Sequence, residues 1–205
     1  VVMARLLRKA AKITRRTFLV SSAVIAGGAA FGVWEAAREL PNPLAPASGT
    51  ALNPWLILDR EGATIIVPRA EMGQGVATTL AVLLAEELDI AWQGVRVLHG
   101  PAAAAYYNGE LIRAALPYAD YNRAGWVNAA GNASFVIPKT FGLQVTGGST
   151  STADAFVPMR AAGATAREAL KAAASARLGV PVASLRTENG TVIAPDGTSL
   201  PYAEL

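Results

Sequence analysis

Gly73, Gln74 and Gly75 stand directly before an alanine- and leucine-rich run, and Gly147, Gly148, Ser149, Thr150, Ser151 and Thr152 stand directly before another. Glycine loses more backbone entropy than other residues. A pair around a glutamine therefore marks either a sharp turn or a close approach of backbone to a bound group. A glycine turn that feeds a helix exposes backbone N–H groups, and the helix start adds unsatisfied donors and a partial positive charge. Such ends bind phosphate and other anions. In the second stretch four hydroxyls would add to the donors. The plainer reading of the same residues is that the glycines shape tight turns and the hydroxyls cap a helix. Neither stretch is a nucleotide-binding P-loop, because no Gly-Lys-Ser/Thr follows.

Composition limits the chemistry further. The chain has 205 residues, enough for one domain or for part of a larger one. An apolar fraction of 52% beside 16% charged residues excludes a disordered chain. There is no cysteine, which excludes disulfides, thiolate-bound zinc and iron–sulfur clusters on this chain. His99 is the lone histidine, so a metal would have to arrive held by a cofactor. The net charge of +3 is no nucleic-acid footprint. Arg5, Arg8, Lys9, Lys12, Arg15, Arg16 and Arg38 crowd the first 40 residues against Glu35 and Glu39, and the remainder is net negative. Nucleic acid is not an expected partner, since it requires a basic face on the body.

The elements that must position the two turns are partly legible. Trp55–Leu58 and Thr64–Val67, joined by the polar turn Asp59–Gly62, predict a β-hairpin. Val76–Leu88 carries Leu80, Leu83, Leu84 and Leu88 on one helical face. Glu86, Glu87 and Asp89 at its far end oppose the helix dipole, so packing must hold it. Val95–Gly100 reads as a strand. Residues 101–145 have no clear periodicity, and a loop of that length is functional or misassigned. A long alanine-rich helix follows the second turn, with Ser151 and Asp154 at capping-box spacing. Pro158 is expected to bend its early turns or to set its start nearer itself. Asn189–Gly190 signals a hairpin, and Pro201–Leu205 reads as the start of a further helix. The expected fold class is α+β: short strands and hairpins packed with two main helices, preceded by an apolar leader helix. Residues 1–47 are the leader with its linker. Residues 48–205 are a partial domain, truncated at the C-terminus.

Within the leader, Arg15–Arg16, Phe18–Leu19 and an apolar segment to about Trp34 resemble a twin-arginine export signal. Residues 18–34 fall short of the roughly 20 needed to cross a bilayer. Cleavage after Ala45–Ala47 and retention as an uncleaved membrane anchor are both open. Either places the body in the periplasm or facing it from the membrane. The twin-arginine route carries folded proteins, including those loaded with cofactor.

"EMGQGVATTLAVLLAEELDIAW" with "VRV", then "TGGSTSTADAFVPMRAAGATAREAL", "TENGTVI" and "LPYAEL", together resemble the N-terminal part of isoquinoline 1-oxidoreductase beta subunits. These are molybdopterin-binding large subunits of the xanthine dehydrogenase/aldehyde oxidase family of molybdenum hydroxylases. The resemblance runs from about Trp55 to Leu205. It implies that Gly73, Gln74 and Gly75 lie against molybdopterin, with the Gln74 amide directed at a molybdenum oxo ligand or the pterin. Gly147, Gly148, Ser149, Thr150, Ser151 and Thr152 would hold its phosphate side, in a cytosine dinucleotide form. The metal needs no ligand from this chain, because the pterin dithiolene holds it. The family hydroxylates an N-heterocycle such as isoquinoline, or an aldehyde, with oxygen from water, and passes electrons to a small [2Fe–2S] partner subunit. Family members are several times longer, and their general-base glutamate is expected beyond Leu205. No catalytic residue is assigned in this chain, which alone is expected to be an inactive fragment. Glu71, Glu86 and Glu87 read as solvated or ion-paired surface carboxylates. The alternative is an exported or membrane-tethered, non-catalytic module that binds an anion or a partner at its glycine turns.

Overall fold

The computed structural model describes residues 2–116 and 124–205, with side chains from Val20 onward. The side chains of Arg15, Arg16, Phe18 and Leu19 lie outside the described residues, as does the middle of the poorly legible stretch. The chain divides into two compact units, Val1–Glu39 and Leu40–Leu205. The first is a single helix, α1 (Val2–Ala37). Its Val20–Ala37 segment, with mean hydropathy 1.3, is long and apolar enough to cross a membrane. At the end of that segment Phe31 meets Trp34, and the Arg38 guanidinium lies 5.8 Å over the Trp34 ring.

The second unit is α+β. Strands β1 (Thr50–Asn53), β2 (Leu56–Asp59), β3 (Gly62–Val67) and β4 (Val95–His99) form one sheet in that order. The expected hairpin forms between β2 and β3, where Asp59 faces Gly62 across a two-residue turn. β4 pairs parallel to β3, which requires a crossover, and α2 (Val76–Leu88) supplies it. Alternate residues of β3 enter two cores. Ala63, Ile65 and Val67 join the larger one with α2, while Ile66 packs with Ala105, Tyr106 and Trp55.

The larger core is closed by α6 (Ser151–Leu178). Its Ala155, Met159, Ala162, Ala166, Leu170 and Ala174 recur at helical spacing and share one cluster with Leu80, Ala81, Leu84 and Leu88 of α2. Small residues bring the two helices close together. A Cβ on Gly163 would sit 2.4 Å from the Leu84 carbonyl oxygen and 3.1 Å from the Leu88 nitrogen. In an open helix a glycine-to-alanine change gains stability, by up to about 1 kcal/mol. Here the neighbour is backbone that cannot rotate away, so overpacking wins. Gly163→Ala should cost about 1–3 kcal/mol, seen as a lower urea midpoint at unchanged m-value. A midpoint at or above the parent's would show that α6 shifts freely along α2.

Two expectations are corrected, and one left open is decided. α6 starts at Ser151 and continues through Pro158, so the proline does not set the start of the helix near itself. The Ser151/Asp154 capping box does not form: Thr150 precedes the helix without a side-chain cap, and Asp154 is engaged elsewhere. Residues 101–145 are not one long loop. Where described they form a short 3-10 turn (Ala104–Tyr106), α3 (Glu110–Ala114), α4 (Gly125–Ser134) and α5 (Val136–Phe141).

A second sheet comprises β5 (Arg186–Glu188), β6 (Thr191–Ile193) and β7 (Ser199–Pro201). Its first turn is the expected Asn189–Gly190 pair, both residues at positive φ as a type I′ turn requires. The Gly190 N–H donates to Asp89 O at 2.7 Å, and the Tyr202 hydroxyl donates to Leu88 O at 2.8 Å. These bonds, with Arg160 on Glu87, satisfy the end of α2 whose acidic charge disfavours it. Pro201–Leu205 makes only a 3-10 turn, Tyr202–Glu204.

Candidate functional site

Arg69 lies two residues beyond β3, at the end of the buried run that the strand begins. Its side chain is 2% exposed. Nη1 donates to Pro68 O and Tyr106 O, both at 2.9 Å; Nη2 donates to Tyr107 O at 3.2 Å and to Asp154 Oδ2 at 2.5 Å. Asp154 Oδ1 accepts from the Gly109 N–H at 2.7 Å. Burial pushes the Asp154 carboxyl up, against the opposing pull of the Arg69 guanidinium. One ion pair thus joins the strand leading to the first turn with the helix that follows the second.

The first turn is occupied by its own chain. Gly73 and Gly75 adopt φ of 91° and 79°, left-handed conformations that an ordinary side chain would strain. The turn aims the N–H groups of Gly73, Gly75 and Ala77 at the Glu71 carboxylate, which accepts all three at 2.8, 3.0 and 2.9 Å. Glu71 is exposed, as its sequence context suggests, yet backbone donors hold it and no cation among the described residues does. The Gln74 side chain folds back too: Nε2 donates to Ala70 O at 2.8 Å and Oε1 accepts from the Met72 N–H at 2.6 Å. The turn thus holds a carboxylate of its own chain, and the Gln74 amide bridges two of its backbone groups.

The N–H groups of Ala77, then Gly75 and Gly73, hold the Glu71 carboxyl below its ordinary range. A depressed carboxylate stabilises the fold above its unfolded pKa, and that contribution disappears as pH falls through the folded value. An NMR titration should give Glu71 a midpoint below the usual glutamate range, with the amide shifts of Gly73, Gly75 and Ala77 following it. An ordinary midpoint, or amides that do not respond, would remove Glu71 from the turn.

The second turn divides in role. Thr150 is buried, and its hydroxyl donates to Gly147 O at 2.8 Å while accepting from Asn108 Nδ2 at 2.7 Å. Its hydroxyl therefore serves the turn's own architecture. Gly147, Gly148, Ser149 and Thr152 are exposed, and Ser151 is half-buried. A Cβ built on Gly73, Gly75 or Gly147 would meet nothing within 4 Å, so space beside both turns is open.

Between the turns, the Ala70 N–H donates to Thr146 Oγ1 at 2.8 Å. Ala70 is four residues before Gln74, and Thr146 directly precedes Gly147, so the two turns are tied at their bases. Both residues line a cavity of about 700 Å³ with Pro68, His99, Gly100 and Gln144. Gln74 and Ser149 are not among its lining residues. Sequence reasoning named none of Arg69, Asn108, Thr146 and Asp154 as a site residue, although Thr146 and Asp154 lie within the second quoted motif. An acidic residue just ahead of a glycine turn is the one local hint of Glu71's role.

No protein-family model matches the chain. By sequence it is a relative of bacterial oxidoreductase subunits, and the likeness read from its motifs holds over most of its length. It is 32% identical over 184 residues to the beta subunit of isoquinoline 1-oxidoreductase from Brevundimonas diminuta, covering 89% of this chain and 20% of that protein. It is 33% identical over 135 residues to a nicotinate dehydrogenase subunit from Pseudomonas putida, covering 66% of this chain and 8% of that one. The chain thus spans a fifth or less of the length of these curated relatives. Quinoline 2-oxidoreductase from Pseudomonas putida 86 superposes loosely, with a TM-score of 0.36 and 18% identity over 70% of this chain and 14% of that one.

Proposed function

We propose that this chain is part of the large subunit of a molybdenum hydroxylase and contributes two loops to a molybdopterin site. The bond between Ala70 and Thr146 supports the reading, because it ties the bases of two helix-leading glycine turns to each other. The chemistry of the donors fits the group. Three N–H groups of the first turn already hold a carboxylate, and a phosphate or pterin oxygen makes the same demand. Gly73, Gln74 and Gly75 would hold the pterin side. Gly147, Gly148, Ser149, Ser151 and Thr152 would hold the phosphates of a cytosine dinucleotide form, and Thr150 would support the turn from within. When bound, molybdopterin would supply the metal-centred oxidation that no side chain of this chain can perform.

In this reading the complete protein hydroxylates an N-heterocycle or an aldehyde and delivers electrons to a [2Fe–2S] partner subunit. The chain's own work is to bind and orient. Arg69 and Asp154 keep the turns in register, and the Gln74 amide offers a fixed donor once it leaves Ala70. The leader is a twin-arginine export signal, and residues 18–34 can serve as an anchor. The apolar Val20–Ala37 segment supports this, as do the basic residues that precede it.

Metal and nucleotide analysis of the full-length protein from its native host tests the reading. The expected result is about one molybdenum per chain, with cytidine monophosphate released on hydrolysis of the extracted cofactor. A properly folded, exported protein without molybdenum would overturn it.

A further inference from the structure

We propose that a second cavity, separate from both glycine turns, binds a neutral primary aromatic amide. The cavity has a volume of about 430 Å³, within the range of small-molecule sites. None of its lining residues belongs to either turn. The inference goes beyond the molybdenum reading and does not depend on it.

Three observations set the chemistry. Trp55, Tyr106 and Phe135 line the walls, with Pro158 and Val157 of α6. These are flat, apolar surfaces suited to an aromatic ring. Tyr106 contributes only its ring, because its hydroxyl donates to Pro54 O and burial pushes the phenol up to about 12. Second, the Arg69 guanidinium is part of the wall, and its Nε is buried with no hydrogen-bond partner although the other two nitrogens make four bonds. A buried donor without an acceptor is costly, and a ligand carbonyl oxygen relieves it. Third, the charges in the wall are already matched. Arg69 pairs with Asp154 at 2.5 Å, and Arg113 pairs with Glu110 at 2.7 Å.

Matched charge favours a neutral ligand over an ionised one, since an added ion would be left uncompensated away from water. The carboxylates of Asp154 and Glu110 keep lone pairs for a further donor. The residues of the wall therefore carry two acceptor-seeking N–H groups, Arg69 Nε and Arg113 Nε, beside donor-seeking oxygens under an aromatic cleft. A primary amide on a ring supplies both groups side by side; a ketone supplies one, and a carboxylate brings the wrong charge.

The test is calorimetric or NMR titration of the full chain with benzamide, acetophenone, benzoate and toluene. Benzamide should bind saturably, and acetophenone, benzoate and toluene should each bind about tenfold or more weakly. Val157→Trp places an indole on the exposed rim without touching Arg69 or the core, and should weaken benzamide by about tenfold or more. The parent's thermal midpoint in that variant shows that the fold is kept. Absent saturable benzamide binding, equal binding of toluene or benzoate, or affinity unchanged in Val157→Trp would each overturn the site.

Discussion

Replacing Arg69 with methionine should destabilise the chain by on the order of 3–5 kcal/mol, the usual result of removing one partner of a buried ion pair. The change strands more than one group. Tyr106 O and Tyr107 O lose the Arg69 donor, Pro68 O keeps only Gln144 Nε2 at 3.4 Å, and Asp154 keeps only backbone partners in a site that already pushes its carboxyl up. Without the guanidinium, the pressure on Asp154 to protonate rises. A carboxyl whose folded pKa is raised supports the fold below its unfolded pKa and loses that support as pH rises through the folded value. The penalty should therefore shrink in acid and grow towards neutral pH. Urea melts of Arg69→Met at low and neutral pH check this, and Arg69→Met with Asp154→Leu should recover part of the loss. A variant within about 1 kcal/mol of the parent at neutral pH, well inside that expected loss, would mean that the ion pair does not hold the two turns.

Gln74→Ala carries the second large effect, and it rests on the proposed molybdenum site. Once a bound cofactor shields the Gln74 amide from water and draws it from Ala70 O, such a donor would be worth about 2–4 kcal/mol of barrier, by analogy with oxyanion donors. Turnover of isoquinoline or an aldehyde by the complete, molybdenum-loaded protein should fall by about two to three orders of magnitude. Stability should change little, because Gln74 is exposed and its two hydrogen bonds serve only Ala70 O and the Met72 N–H. That contrast separates the variants: Arg69→Met acts on the fold, Gln74→Ala on the reaction. Full turnover at equal molybdenum content would remove Gln74 from the site.

The local elements are legible in the sequence because each is set by neighbours along the chain. The β2–β3 hairpin follows from alternating apolar residues around a polar turn. α2 follows from a leucine face bounded by Gly75 and Asp89, and the β5–β6 turn from the backbone freedom of Asn189–Gly190. The two glycine turns and their likeness to isoquinoline 1-oxidoreductase beta subunits are visible for the same reason, since each motif is a handful of adjacent residues.

Tertiary structure decided how those pieces meet. Arg69 finds Asp154 across 85 positions, and Ala70 finds Thr146 across 76. Neither pairing has a local signature, because a lone arginine or threonine reads the same wherever the fold carries it. Packing also overrode two local rules: α6 runs through Pro158, and Gly163 stands where alanine has the better helix propensity. The reason is energetic: side chains buried against α2 outweigh a lost backbone bond, and only the folded chain brings those side chains together.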